Sequence, residues 1–341
     1  MENSLKFKLT FVGAILLMFS LLSLRNEKEI SSNSNSWGFY GHKRINRVAI
    51  FTLPPEMFGF YKEHIEYLTE HAVDPDKRRY AVKGEAECHY IDIDHYAING
   101  QNPFEVVPKS WTKAVEKFSE DTLHAYGIVP WHIQIMKLKL QRAFENKNID
   151  LILKYSADLG HYIGDSHVPL HTTENYNGQL TGQRGIHGLW ESRLVEINAE
   201  DYDYFIGKSV YLKKPLDFTW NAVQESFAAL DSVLRFEKEL TKQFPEDKKY
   251  AYEQRGNMTI QTYSLDFSQE YHRMMGGMVE RRMRQAILAV GSFWYTAWVD
   301  AGQPDLTKLQ NIPPSAALLK EIAELDAMYQ AGEVKGRDCE H

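Results

Sequence analysis

Cysteine is nearly absent: Cys88 and Cys339 are the only two in 341 residues, too few for a disulfide framework. A basic excess is missing as well. Lys and Arg number 39 against 46 Asp and Glu, for a formal charge of -7 and a pI near 6.0. Electrostatics therefore gives no reason to expect nucleic-acid binding, although an enzyme can hold phosphates with metal ions instead of a basic surface. With 12 Pro, 21 Gly, 43% hydrophobic and 25% charged residues, the chain is neither collagenous nor largely disordered. There is no internal repeat and no Gly/Pro/Ser-rich linker after residue 36. The length allows one large domain or two ordinary ones.

The N-terminus reads as an export signal. Lys6 and Lys8 precede an apolar run from Leu9 to Leu24, and Arg25, Glu27, Lys28 and Glu29 follow at once. A charged segment before a short apolar one marks residues 1–24 as a signal peptide. The run falls short of the ~20 residues that usually span a bilayer; an uncleaved membrane anchor is the alternative. Residues 25–36, ending in Ser31-Ser-Asn-Ser-Asn-Ser36, form a polar linker with no means of packing, expected to be removed with the signal. Folded sequence starts at Trp37, so the expected functional domain is 37–341 and the protein is secreted or periplasmic.

From Trp37 onward helix-period patterns dominate and strand-like alternation is scarce. His42–Phe51 reads as a helix stopped by Pro54-Pro55, and Trp131–Asn146 as a second opened by Pro130. Leu151–His167 is a third, capped by Asn148 or Asp150 and ending before Pro169. Phe218–Phe244 and a long Ser268–Ala301 helix complete the set, the Met and Trp residues of the last being core. The expected fold is all-α, a single multi-helix domain with its site between helices.

What the chain has in plenty is histidine, 13 residues. In Leu159-Gly-His161-Tyr-Ile-Gly-Asp165-Ser-His-Val-Pro-Leu-His171, His161 and Asp165 are four apart and share one helix face. Pro169 turns the chain so that His171 can approach the same region. His187 and Glu191 repeat the four-residue step. Two such pairs joined by a third histidine make a ligand set that zinc accepts. His167 falls on another helix face. His124, His132, His272 and His341 have no partner at metal-like spacing, and His64 and His71 read as packing. Upstream, His42, Asp74-Pro-Asp76 and Cys88-His89-Tyr-Ile-Asp92 are individually weak. Cys88 is expected to be a buried, reduced thiol. The residues alone point to a zinc hydrolase with at least one site.

Together these motifs resemble the superfamily joining bacterial zinc-dependent phospholipase C to the single-strand-specific nucleases of moulds and plants. The resemblance runs from Trp37 to about Glu191 and more loosely through Phe293-Trp-Tyr-Thr-Ala-Trp298. It implies an all-α fold with three zinc ions. Asp74, His89 and His161 would bind the first, Asp165 would bridge the first and third, and His171, His187 and Glu191 would hold the second. The third would take His42 and Trp37, the latter through an α-amino group and carbonyl that exist as ligands only after cleavage before Trp37. Asp74 would also orient the attacking water and accept its proton. An Arg that grips phosphate three residues after that Asp in the mould enzymes falls here at Lys77, with Arg78 adjacent. Tyr90 and Asp92 would stack on a base and bind its edge. The residues that form a choline pocket in the phospholipases are replaced by Tyr40, Pro75 and Ala86, whereas Glu191 in place of Asp is a phospholipase feature. The implied substrate is single-stranded nucleic acid or a 3′-nucleotide, with a phospholipid as the alternative. A zinc-stabilised, non-catalytic binding protein is the third reading, and no stable protein partner is inferred.

Overall fold

The computed structural model describes residues 38–255 and 258–331. The expected signal peptide, the linker and Trp37 lie outside the described residues, as does Cys339. In chain order the helices are α1 (Gly38–Ala49), α2 (Pro55–Glu63), α3 (Ile65–Glu70), α4 (Asp74–Ala81), α5 (Pro103–Val106), α6 (Trp111–Phe118), α7 (Glu120–Ala125), α8 (Val129–Glu145) and α9 (Ile149–Ser166). A π-helical turn, Gly188–Arg193, leads into α10 (Leu194–Asn198). Then come α11 (Pro215–Gln243), strands β1 (Tyr250–Arg255) and β2 (Met258–Tyr263), α12 (Leu265–Met274), α13 (Met278–Asp300) and α14 (Ala316–Gln330). The expected all-α class holds, with one two-stranded hairpin that helix-period reasoning did not anticipate.

Helix α9 organises the helical body. The side chain of Asn148 caps it by accepting the Leu151 N–H at 3.1 Å. Every residue from Ser156 to Ser166 is buried, so the helix is enclosed on all sides, against α8, α13 and α1. Two glycines one turn apart, Gly160 and Gly164, open the groove in which α1 lies. A Cβ on Gly160 would fall 1.9 Å from Asn46 Oδ1, and one on Gly164 would fall 2.8 Å from His42 Nδ1. Asn46 locks the contact by donating to the carbonyls of Ala157 at 3.1 Å and Leu68 at 3.3 Å. The close approach sets His42 against the Asp165 end of α9.

The single helix expected over 268–301 is in fact two. Gly276 and Gly277 adopt φ of 55° and 73°, left-handed values that glycine takes without steric penalty and that end α12 before α13 begins. Of the residues read as core in that segment, Met278, Trp294 and Trp298 are buried, and Met274 packs half-buried against the core; Trp294 is fully buried and donates from Nε1 to Ser156 O at 2.9 Å. Among the described residues no helix is long and apolar enough to cross a membrane.

Candidate metal centre

Six segments bring their polar groups to one buried point. His42 comes from α1 and Asp76 from α4. His89 follows the 3-10 turn Ala86–Cys88, and His161 and Asp165 come from α9. His171 sits in the 3-10 turn that Pro169 opens, and His187 and Glu191 flank the start of the π-helical turn. Such single π turns recur at functional sites because they reposition a side chain within a helix.

Asp165 lies at the centre. Its carboxylate is 3.0 Å from His89 Nδ1, 3.3 Å from His161 Nε2, 3.2 Å from His42 Nε2 and 3.7 Å from His171 Nδ1. Asp76 Oδ1 joins the same side, 3.5 Å from His161 Nε2 and 3.7 Å from His89 Nδ1. On the other side Glu191 Oε2 is 2.7 Å from His187 Nε2 and 3.5 Å from His171 Nε2, and its Oε1 is 3.7 Å from His42 Nε2. Four sets of three donors converge within metal-binding reach: His89–His161–Asp165, His42–Asp76–His161, His171–His187–Glu191 and His42–Asp165–Glu191.

The hydrogen bonds behind the histidines fix which nitrogens point inward. His161 Nδ1 donates to Ala72 O at 2.9 Å, His171 Nδ1 to His89 O at 2.8 Å, and His187 Nδ1 to Tyr176 O at 3.2 Å. A neutral imidazole with its proton on Nδ1 leaves a lone pair on Nε2. Two inward nitrogens, His171 Nε2 and His187 Nε2, are then 3.3 Å apart; His161 Nε2 and His89 Nδ1 are 3.0 Å apart. Facing lone pairs beside three buried carboxylates need a positive charge between them, and the donor set fits a divalent metal.

Without a metal, protons must supply that charge. Burial disfavours charged His161, yet Asp165 and Asp76 hold its pKa well above the ordinary value. Burial likewise opposes ionisation of Asp165, yet His161 and His171 hold it well below the usual carboxylate range. For His161 the folded pKa exceeds the unfolded one near 6.5, so its stabilisation is complete below that value and is lost as pH rises through the folded pKa. For Asp165 the stabilisation is present above about 3.8 and is lost as pH falls through its depressed folded pKa. Chelator-treated protein should therefore melt at a lower temperature at pH 9 than at pH 6, and saturating zinc should remove most of that difference. Thermal melts at the two pH values, with and without zinc, test this; equal melting temperatures in the chelated samples would refute it.

The carboxylate expected from Asp74 comes instead from Asp76. Asp74 Oδ2 accepts from His71 Nδ1 at 2.9 Å and its Oδ1 from Lys77 Nζ at 3.0 Å, facing α14 and outside all four sets. Burial raises its pKa, but His71 and Lys77 outweigh that and lower it. Lys77 also pairs with Asp326 of α14 at 2.7 Å, so it is not aimed at the cluster. Arg78 is turned inward onto Asp158, at 3.0 Å. Arg79, not singled out from the sequence, is the basic residue beside the site: it is buried, 3.8 Å from Asp76 Oδ1. The Asp76–Arg79 step of three was the signal that could have identified both.

Tyr90 is half-buried, its ring against Gly127 and its carbonyl accepting from Val129 N at 3.1 Å. Asp92 is buried, its N–H donating to Tyr126 O at 2.8 Å. Neither belongs to a donor set. His167 bonds to Ile163 O at 2.7 Å, and burial and Arg282 push its pKa down to about 3, so it is neutral and apart from the cluster. His64 and His71 bracket α3 at its two ends, and neither belongs to a donor set. Cys88 is buried, its thiol donating to Gly84 O at 3.3 Å.

This constellation has a known counterpart, for the S1/P1 nuclease family model matches residues 37–290. The chain belongs to the S1/P1 nuclease family. No curated protein matches it. Members of the S1/P1 nuclease family are zinc-dependent hydrolases of phosphodiester bonds, and this chain is an enzyme of that class with donor groups suited to metal. The matched span holds every donor in the four sets, whereas α14 lies beyond it.

Proposed function

We infer that this S1/P1 nuclease family member is exported and hydrolyses single-stranded nucleic acid or 3′-nucleotides at a cluster of three zinc ions. The observation that carries the reading is the sharing of Asp165: one carboxylate reaches the inward nitrogens of His89 and His161 and, with its other oxygen, that of His42, as a bridging ligand must. Asp76, His89 and His161 would form one set with Asp165; His171, His187 and Glu191 a second. His42 and Asp165 would hold a third, joined by Trp37 if cleavage makes it the first residue. A structural zinc site is closed with four ligands; this donor set is larger than one such site uses.

Bound zinc would lower the pKa of a coordinated water toward neutrality and neutralise charge on the substrate phosphate. Asp76 has its carboxylate at the edge of the set and takes the role first expected of Asp74, orienting water and accepting its proton. Arg79 places a positive charge beside it for the phosphate. The outward hydrogen bonds of His161, His171 and His187 hold the inward nitrogens in place without reorganisation during the reaction. A nucleic-acid substrate is favoured over phosphatidylcholine because Tyr40 stands where the phospholipases place a choline-facing Glu, and Ala86 where they place a Phe. The Tyr40 hydroxyl is engaged with Glu200 at 2.6 Å, and Ala86 is buried.

The deciding experiment incubates the zinc-loaded secreted form with denatured DNA, a 3′-nucleotide and phosphatidylcholine vesicles. Cleavage of DNA or release of phosphate from the nucleotide, abolished by chelator, is the expected result. Diacylglycerol release without DNA cleavage would replace this reading with a phospholipase. Bound zinc with no turnover on any substrate would leave a non-catalytic binding protein.

A further inference from the structure

His89, like His42, has a buried ring nitrogen without a hydrogen-bond partner among the described residues. The Nδ1 of His89 faces inward, 3.0 Å from Asp165. Its outward Nε2 is the nitrogen without a partner, whereas His161, His171 and His187 each rest on a carbonyl. The anion facing that nitrogen is Glu85, with Oε1 at 3.7 Å. Glu85 is itself buried and held from two sides. The Tyr162 hydroxyl donates to its Oε1, and Arg78 Nε lies 3.4 Å from its Oε2. Arg78 is fixed in turn by a two-pronged contact with Asp158, at 3.2 and 3.0 Å, and donates to the Tyr162 oxygen at 3.1 Å. The chain Asp158–Arg78–Glu85 carries two negative charges and one positive, leaving one net negative charge directly behind a histidine of the metal cluster.

We propose that Glu85, braced by Arg78 and Tyr162, is a positioning residue that orients His89 toward the first zinc. The proposal rests on the zinc reading above. It assigns Arg78 a place behind the site and not on the substrate phosphate. A carboxylate behind a ligating imidazole fixes its tautomer and ring plane, and loss of such a partner typically costs 10–100-fold in metal affinity or activity. The 3.7 Å separation is ion-pair range; closing it by about 0.7 Å gives a hydrogen bond.

The test is Glu85→Gln in the full secreted form. Zinc retention is measured against graded chelator, alongside the metal-free melting temperature and separate kcat and KM values. Glutamine fills the same space and can still accept from Tyr162, so packing is kept while the charge is removed. Expected is loss of zinc at roughly 10–100-fold lower chelator concentration, with the metal-free melting temperature nearly unchanged and kcat falling at sub-saturating zinc. Excess zinc should restore much of the rate. Tyr162→Phe, which removes one brace of Glu85, is the second variant and should shift zinc retention in the same direction by less. Zinc held as tightly as in wild type by both variants would overturn the proposal, as would a loss that merely tracks a lower metal-free melting temperature. Arg78→Lys that raises KM alone, with zinc retention intact, would also overturn it by returning Arg78 to the substrate. Wild-type protein that retains no zinc would overturn the zinc reading and this proposal together.

Discussion

Asp165→Asn should lower the rate of phosphodiester hydrolysis by about a thousandfold or more and release zinc from the protein. No other carboxylate of the cluster approaches as many histidines: His42, His89, His161 and His171 all lie within 3.7 Å of it. Asparagine keeps the shape and one carbonyl oxygen but removes the charge. It also presents an NH2 to nitrogens whose lone pairs point inward. A single lost transition-state hydrogen bond costs about a hundred- to a thousandfold in kcat; a shared ligand should cost at least that, because more than one donor set is broken together. Zinc content measured beside the rate separates the two effects. If the variant retained full zinc and most of its activity, the bridging role would be wrong and the cluster would have to be rebuilt around Asp76 and Glu191.

Much of this was readable in the sequence because helix periodicity and ligand spacing act together. His161 and Asp165, and His187 and Glu191, lie one helical turn apart, so their meeting needs only local structure. Pro169 announced the turn that brings in His171. The break at Gly276-Gly277 was also written in the sequence, but a continuous run of core residues on both sides disguised it. The choice between Asp74 and Asp76 was of a different kind. Both sit in the first turn of α4, two residues apart, and so point about 200° away from each other. Which one faces the cluster depends on how α4 is rotated against α9 and α14, and that is tertiary packing. Lys77, paired with Asp326, helps to set that rotation, and nothing in the local sequence links residues 77 and 326. Arg78 shows the same limit. A basic residue beside a metal-site aspartate suggests phosphate, yet Asp158 and Glu85 draw it into the interior.

The rotation of α4 makes the second large prediction a comparison of two neighbouring substitutions. Asp76→Asn should reduce turnover by about a hundred- to a thousandfold, because it removes the carboxylate beside His161 and His89 and the anion opposite Arg79. Its loss also takes the expected proton acceptor from the attacking water. Asp74→Asn should leave turnover within a few fold of wild type. Its cost should appear as stability, since His71 and Lys77 lose a nearly buried partner. Removing one member of a buried charge pair costs about 3–5 kcal/mol, and the 14% exposure of Lys77 together with its second partner Asp326 should keep the loss below that range. The depressed pKa of Asp74 gives the accompanying sign. Its contribution is present above about pH 3.8 and disappears as pH falls through the lower folded value, so wild type and Asp74→Asn should converge in stability in strong acid. Steady-state rates at saturating zinc and melting temperatures for the two variants supply the test. A collapse of activity in Asp74→Asn with Asp76→Asn active would turn α4 back to the register expected from the family resemblance, with Asp74 facing the cluster.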